Sequence, residues 1–427
     1  MNKKLIFKSL LYCVGALILI SACEEDKRFE IYSDDKTPPG TPTIDSVKAL
    51  NGGARFYFKP PTDDDVLSVN AEYVNPNGKT ITFSASYFND SLDVVGLGST
   101  QKQKINLYAL DRGGNRSVNL PYEIEPLEPV VARVEKTLKV VPGFSSFYVD
   151  WRNDLKEPVN VFVNFKYTYQ GEAKDIIQIY TSLDTINRQF IRNLNLGPSD
   201  KIEVSVRVED YYGNKTTDIS KGPIYLLQDE VLSKAGWMLP ETNDSIAGIP
   251  MCFGNEKEGR VRYIIDDVID SYKLANYMHT GSRGRTGKSG GNVPWNFIID
   301  LGDYYQLSRI VTHQRHGTAG DLNPMARGQY YGSENVGMFN VYYLVELPDT
   351  TYWELMSNCK IPLPTGLNDI DIFRQGQAGD MFYMFPDDPK FSPPTRWFRY
   401  EALSNFNDNY TGTGANCLSE ITLYGKK

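Results

Sequence analysis

From Thr43 onward the chain alternates apolar and polar residues in short runs, not at helical spacing. Gly53–Lys59 (GARFYFK), Lys79–Phe88 (KTITFSASYF) and Lys104–Asp111 (KINLYALD) place apolar side chains at every second position. That period turns one face of a β-strand towards a core. Turn clusters separate the runs: PTDDD at 61–65, NPNGK at 75–79 and DRGGN at 111–115. A second block repeats the habit with SSFYVDWRN (145–153), VNVFVNFKYTY (159–169), DIIQIYTS (175–182) and KIEVSVRVED (201–210). Neither block contains a long run of 3.6-residue period, so an all-β fold is expected.

The two blocks also match each other. Tyr108–Ser117 (YALDRGGNRS) and Val206–Thr216 (VRVEDYYGNKT) share Asp-x-x-Gly-Asn-basic-hydroxyl, with Asp111 and Asp210 as the corresponding acids. A repeat of about 100 residues is the size of an immunoglobulin-like sandwich. The blocks resemble fibronectin type III-like domains, expected over 43–127 and 128–228. Asp111 and Asp210 are read as turn residues, because Gly and Asn tolerate the positive φ that such a turn needs.

Beyond residue 236 glycine rises and all three histidines appear. Pro294–Arg315 (PWNFIIDLGDYYQLSRIVTHQR) reads as two strands around a turn at Gly302–Asp303. Further strands are expected over Gly337–Leu347, Tyr352–Met356, Thr395–Phe406 and Cys417–Gly425. In this order Trp295–Gly302, Leu307–Ile310, Trp397–Arg399 and Leu418–Gly425 resemble the discoidin, or coagulation factor V/VIII type C, family of galactose-binding-like sandwiches. That resemblance covers 236–427 and implies a jelly-roll β-sandwich.

The first 22 residues combine basic Lys3, Lys4 and Lys8 with a short apolar run, Leu10–Ile20. About 11 residues are too few to span a bilayer as a helix, and the pattern is that of a signal peptide. Leu19–Cys23 resembles a bacterial lipobox, which implies that Cys23 is acylated and becomes the mature N-terminus. The acidic residues after it and the proline-rich stretch to residue 42 read as a flexible tether. With the domains that follow, the layout resembles the surface lipoproteins that Bacteroidetes encode beside Sus-type glycan-uptake systems. This implies an outer-membrane, outward-facing protein that captures polysaccharide, with Sus-type transporter components as further partners.

The net charge of −8 argues against nucleic acid, whose binders carry a basic footprint. The five cysteines, at 13, 23, 252, 359 and 417, do not make a disulfide framework. No Gly-x-Ser-x-Gly elbow, His-Glu-x-x-His pair or cysteine–histidine signature is present, so an enzyme is not expected. GRTGKSGG (284–291) lacks the first glycine of a phosphate loop.

The discoidin resemblance implies a structural Ca²⁺, with Asp267, Asp270 and Glu420 as ligands and Asp266 as an alternate. It also implies a ligand face built from loops. Sugars need aromatic rings for their C–H faces and oriented donors and acceptors for their hydroxyls. The residues expected there are Arg315, His316, Arg327, Tyr330, Tyr331, Asn405, Phe406, Asn407 and Tyr410. Two rival readings stand beside glycan capture: a docking module of an outer-membrane transport complex, and a glycan-active enzyme.

Overall fold

The computed structural model describes residues 36–240, 245–250, 261–270, 276–280, 294–316, 330–332, 334–407, 410 and 416–427. The protein is all-β, built as β-sandwiches in tandem. Cys23, Cys252, Arg327 and the glycine-rich stretch 284–291 lie outside the described residues. Among the described residues no helix is long and apolar enough to cross a membrane.

The first sandwich contains β1 (Thr43–Leu50), β2 (Gly53–Lys59), β3 (Val66–Val74), β4 (Thr80–Ser86), β5 (Ser91–Val94), β6 (Gln103–Asp111) and β7 (Leu120–Ile124). Its sheets run β1-β2-β5 and β4-β3-β6-β7, the three-plus-four arrangement of a fibronectin type III domain. Alternating positions of the expected runs face inwards: Phe56, Ile105 and Leu107 are buried in one core, joined by Val69 and Ala71 of β3, a strand the sequence reading did not expect.

A helix, Val130–Thr137, leads into the second sandwich and packs Val130, Val131 and Val134 onto its core. The strands are β8 (Lys139–Gly143), β9 (Ser146–Arg152), β10 (Val159–Tyr169), β11 (Glu172–Ser182), β12 (Ile186–Ile191), β13 (Lys201–Asp210), β14 (Ile219–Ser220) and β15 (Ile224–Tyr225). They form sheets β12-β9-β8 and β11-β10-β13-β14, with β15 also on β13. Asp111 and Asp210 close equivalent turns. Each carboxylate accepts from the backbone and side chain of the asparagine four residues on, Asn115 or Asn214. Gly114 and Gly213 between them hold φ of 82° and 84°, where a glycine is favoured.

The third sandwich begins earlier than residue 236. Strand β16 (Glu230–Val231) already pairs with the last strand of the chain. After it come β17 (Ser245–Ile246), β18 (Ile249–Pro250), β19 (Met278–His279), β20 (Trp295–His313), β21 (Val336–Leu347) and β22 (Thr350–Lys360). A helix, Asp369–Ala378, precedes β23 (Asp380–Tyr383), β24 (Thr395–Asn405), β25 (Cys417–Leu418) and β26 (Glu420–Lys426).

The turn expected at Gly302–Asp303 is a bend within one 19-residue strand. Gly302 has φ 77°, and the pairing register shifts between Asp300 and Tyr305. Before the bend β20 pairs with β24; after it, β20 pairs with β26 and β23. Gly-Asp here does what a bulge does at the corner of a sandwich, passing one strand from one sheet to the other. Trp295, Phe297, Phe339 and Tyr400 stack in the core.

The units meet at built joints. Tyr212 of the second sandwich covers Gly96 of the first so closely that a Cβ there would collide with its ring. Asn75 Nδ2 donates to Tyr212 O (2.8 Å) and Asn214 Nδ2 to Gly96 O (2.8 Å). At the second joint Tyr383 of β23 is inserted among Phe144, Tyr148 and Phe190, and its hydroxyl bonds Ser146 Oγ. Arg188 spans the same joint, holding Asp150 at 2.7 and 2.8 Å and donating to Pro386 O and Asp387 Oδ1.

Candidate ligand-binding site

Two of the expected calcium ligands gather around a lysine. Lys234, from the segment leading into the third sandwich, places its ammonium 2.7 Å from Asp267 Oδ1 and 2.6 Å from Glu420 Oε1. The lysine side chain is 5% exposed and Glu420 2%. Burial pushes the Glu420 carboxyl up to about 8, against the downward pull of Lys234. Asp270 is fully buried and committed elsewhere: its oxygens accept from the backbone amides of Asn276 (2.9 Å) and His316 (2.8 Å). Asp266 accepts from Asn276 Nδ2 and Val268 N.

Calcium takes about six to eight oxygen ligands. Here an ammonium stands between two of the expected carboxylates, and backbone amides hold the third. These residues do not fit a calcium site. The expectation of Asp267, Asp270 and Glu420 as metal ligands is corrected to a lysine-centred charge cluster.

Most of the expected sugar-facing side chains point inwards. His316 is fully buried, edge-on to Tyr330 (5.0 Å) and Phe373 (5.5 Å). Tyr330 is fully buried, its hydroxyl bonded to Gln377 and Asp270 O. Tyr331 is buried and donates to Asp380 Oδ1 (3.2 Å). Asn405 is buried and accepts from Asn407 N (3.0 Å). Phe406 is buried between Tyr331 and Tyr410.

Arg315 is half-buried over the Tyr277 ring (4.5 Å) and donates to Cys417 Sγ (3.6 Å). Burial pushes the Cys417 thiol up to about 12, so it stays protonated beside His279 and Glu334. Tyr410 is half-buried and donates to Ile361 O (2.6 Å). Asn407 is exposed. These aromatics pin long loops to the sandwich because a ring buries much area while its hydroxyl finds a partner.

Tyr331 and Tyr410 touch residues of a cleft: Tyr331 bonds Asp380, and the Tyr410 ring lies under Lys360. They stand behind the wall of an open cleft of about 500 Å³ between the second and third sandwiches. One side is β12, with Arg188, Phe190 and the following Arg192. The other is the end of β22 with β23: Asn358, Lys360, Asp380 and Phe382, with Gln375 from the helix above. Phe190 and Phe382 are half-buried, whereas Asn358, Lys360 and Arg192 are exposed. Asp380 is buried, held by Gln314 Nε2 (2.9 Å) and Tyr331 Oη. Burial pushes its carboxyl up to about 6.

The sequence reading missed this cleft because half of it belongs to the other domain. Arg192 and Phe190 carry no motif. The available signal was the density of aromatics around 381–385.

Residues 39–126, 127–227 and 266–425 match three families described as domains of unknown function: DUF4959, DUF5126 and DUF5000 respectively. No curated protein matches the sequence. Among solved structures, a SusE-like protein is similar at 19% identity and TM-score 0.34, over 70% of this chain and 99% of that one. A two-domain fibronectin type III segment of chicken tenascin is similar at 17% identity and TM-score 0.21, over 43% and 99%. The first three fibronectin-type domains of chicken CNTN1 are similar at 10% identity and TM-score 0.22, over 86% and 99%.

Proposed function

We propose that this is a non-catalytic glycan-binding protein, held at the outer membrane through lipid on Cys23, whose discoidin-like third sandwich supplies much of the binding wall. The observation that carries this reading is the cleft between β12 and β22–β23. Its size lies within the range of small-ligand sites, and such sites concentrate at domain interfaces. Its half-buried rings, Phe190 and Phe382, stand beside amide and charged groups, Asn358, Gln375 and Lys360. A pyranose presents that same mixture, an apolar face and a polar rim.

Glycoside hydrolysis needs two carboxyl groups flanking the bond. Asp380 is the one carboxyl among the described residues lining the cleft. This supports binding without turnover. Polysaccharide capture for a Sus-type uptake system is the setting that the sequence resemblance implies.

The test uses the chain lacking residues 1–22, with Cys23→Ser, titrated with a panel of plant, host and microbial polysaccharides. Binding without cleavage is expected. Asn358→Trp, at an exposed position in the cleft mouth, should weaken it at least about tenfold, or about 1.4 kcal/mol, with unchanged melting temperature. If no polysaccharide binds, or if Asn358→Trp binds like the parent, the reading fails.

A further inference from the structure

We propose that the cleft between the second and third sandwiches is selective for acidic saccharides, taking a uronate carboxylate or a sulfate ester between Arg192 and Lys360. The inference rests on the glycan-binding reading and names its ligand class. Arg192 leaves the end of β12 with its guanidinium 4.8 Å from the Phe190 ring centroid. Lys360, the last residue of β22, has its ammonium 4.4 Å from the Tyr410 ring centroid. Both stand at exposed positions of the lining, and neither makes a close ion pair with a carboxylate among the described residues, although Arg192 and Asp380 feel each other's charge across the cleft.

The third cation of the lining differs. Arg188 is neutralised by Asp150 and Asp387 and braces the joint. The single acid of the lining, Asp380, is turned into the wall by Gln314 and Tyr331.

The surrounding charge makes this arrangement informative. The chain carries a net charge of −8, so two cations without a close ion-pair partner in one concave site stand against the overall field. A cleft with an excess of one sign of charge raises the local concentration of oppositely charged ligand. A planar guanidinium presents the fork that matches a carboxylate or sulfate, while an ammonium acts as a point charge. Each cation also rests on an aromatic ring, which fixes its position in the absence of a carboxylate. A sugar ring seated beside Phe382 would direct an acidic substituent at these two groups.

The experiment measures binding of three probes to the chain lacking residues 1–22, with Cys23→Ser. The probes are oligogalacturonate, chondroitin sulfate oligosaccharide and neutral galactan oligosaccharide, each at low and high salt. The expected result is at least about tenfold tighter binding of one or both acidic probes, with a preference that salt erases. Which acidic probe binds separates carboxylate from sulfate. The double variant Arg192→Gln/Lys360→Gln should lose the preference for the acidic probes over galactan and melt at the parent temperature. Equal binding of acidic and neutral probes by the parent, or a preference that survives in the double variant, overturns the acidic assignment and leaves glycan binding standing. If none of the three probes nor any other glycan binds, the underlying reading falls instead.

Discussion

Lys234 carries a positive charge into the place where three carboxylates were expected to surround calcium. Glu420, read from the last strand, is indeed the buried acid of that corner. What the sequence did not disclose is its partner, because Lys234 lies 186 residues away in a segment that reads as a connector. Removing one member of a buried ion pair costs about 3–5 kcal/mol, so Lys234→Met should lower the melting temperature markedly. The sign of the pH dependence follows from Glu420. Its folded carboxyl is raised from the ordinary 4.5 to about 8. The stability it contributes is therefore present at low pH and lost as pH rises across that window. The Lys234→Met penalty should grow above about pH 8, where Glu420 ionises beside its cation in the parent and has none in the variant. The parent should melt at one temperature with calcium or with EDTA; a calcium-dependent rise would restore the metal site.

At the scale of elements, alternation revealed most of the long strands, though not β1, β3 or β12, because period-2 patterning reports directly which face meets a core. It misplaced the nature of Gly302–Asp303, since a glycine between apolar runs suits a turn or a bulge equally well. The loop aromatics were legible as important but not as interior. Composition cannot say whether Tyr330 and Tyr331 face a ligand or a core. The joints were invisible, because the residues that meet there are far apart in sequence.

One joint yields a clean test. Gly143 of β8 lies under the Tyr383 ring with no room for a Cβ, and its φ is not positive. Gly143→Ala should therefore act by crowding alone, costing about 1–3 kcal/mol, read as a lower melting temperature. Adding Tyr383→Phe removes the nearest clashing atom and should recover part of the loss. Simple additivity of the two changes would show that they do not meet.

At the scale of the whole molecule, the order of two fibronectin-like sandwiches and a larger third one was readable in the alternation of the chain. The N-terminal region through residue 35 lies outside the described residues, so anchoring rests on the sequence pattern. If Cys23 is the acylated residue, Cys23→Ala should move the protein from the membrane fraction to the soluble one without altering glycan affinity. A variant that still sediments with membranes would count against the anchor. Acyl chains bury at about 0.8 kcal/mol per CH₂, so the difference should be close to all-or-none.

Tyr383 also imposes a timetable on biogenesis. Domains generally fold as units, and N-terminal ones fold first during synthesis. Until β23 arrives, the second sandwich presents Phe144, Tyr148 and Phe190 uncovered. That sticky surface is concealed only when the last domain closes over it, and the same closure creates the second wall of the cleft. Until that closure the cleft has a single wall, so whatever it takes can be held only once the third sandwich has folded.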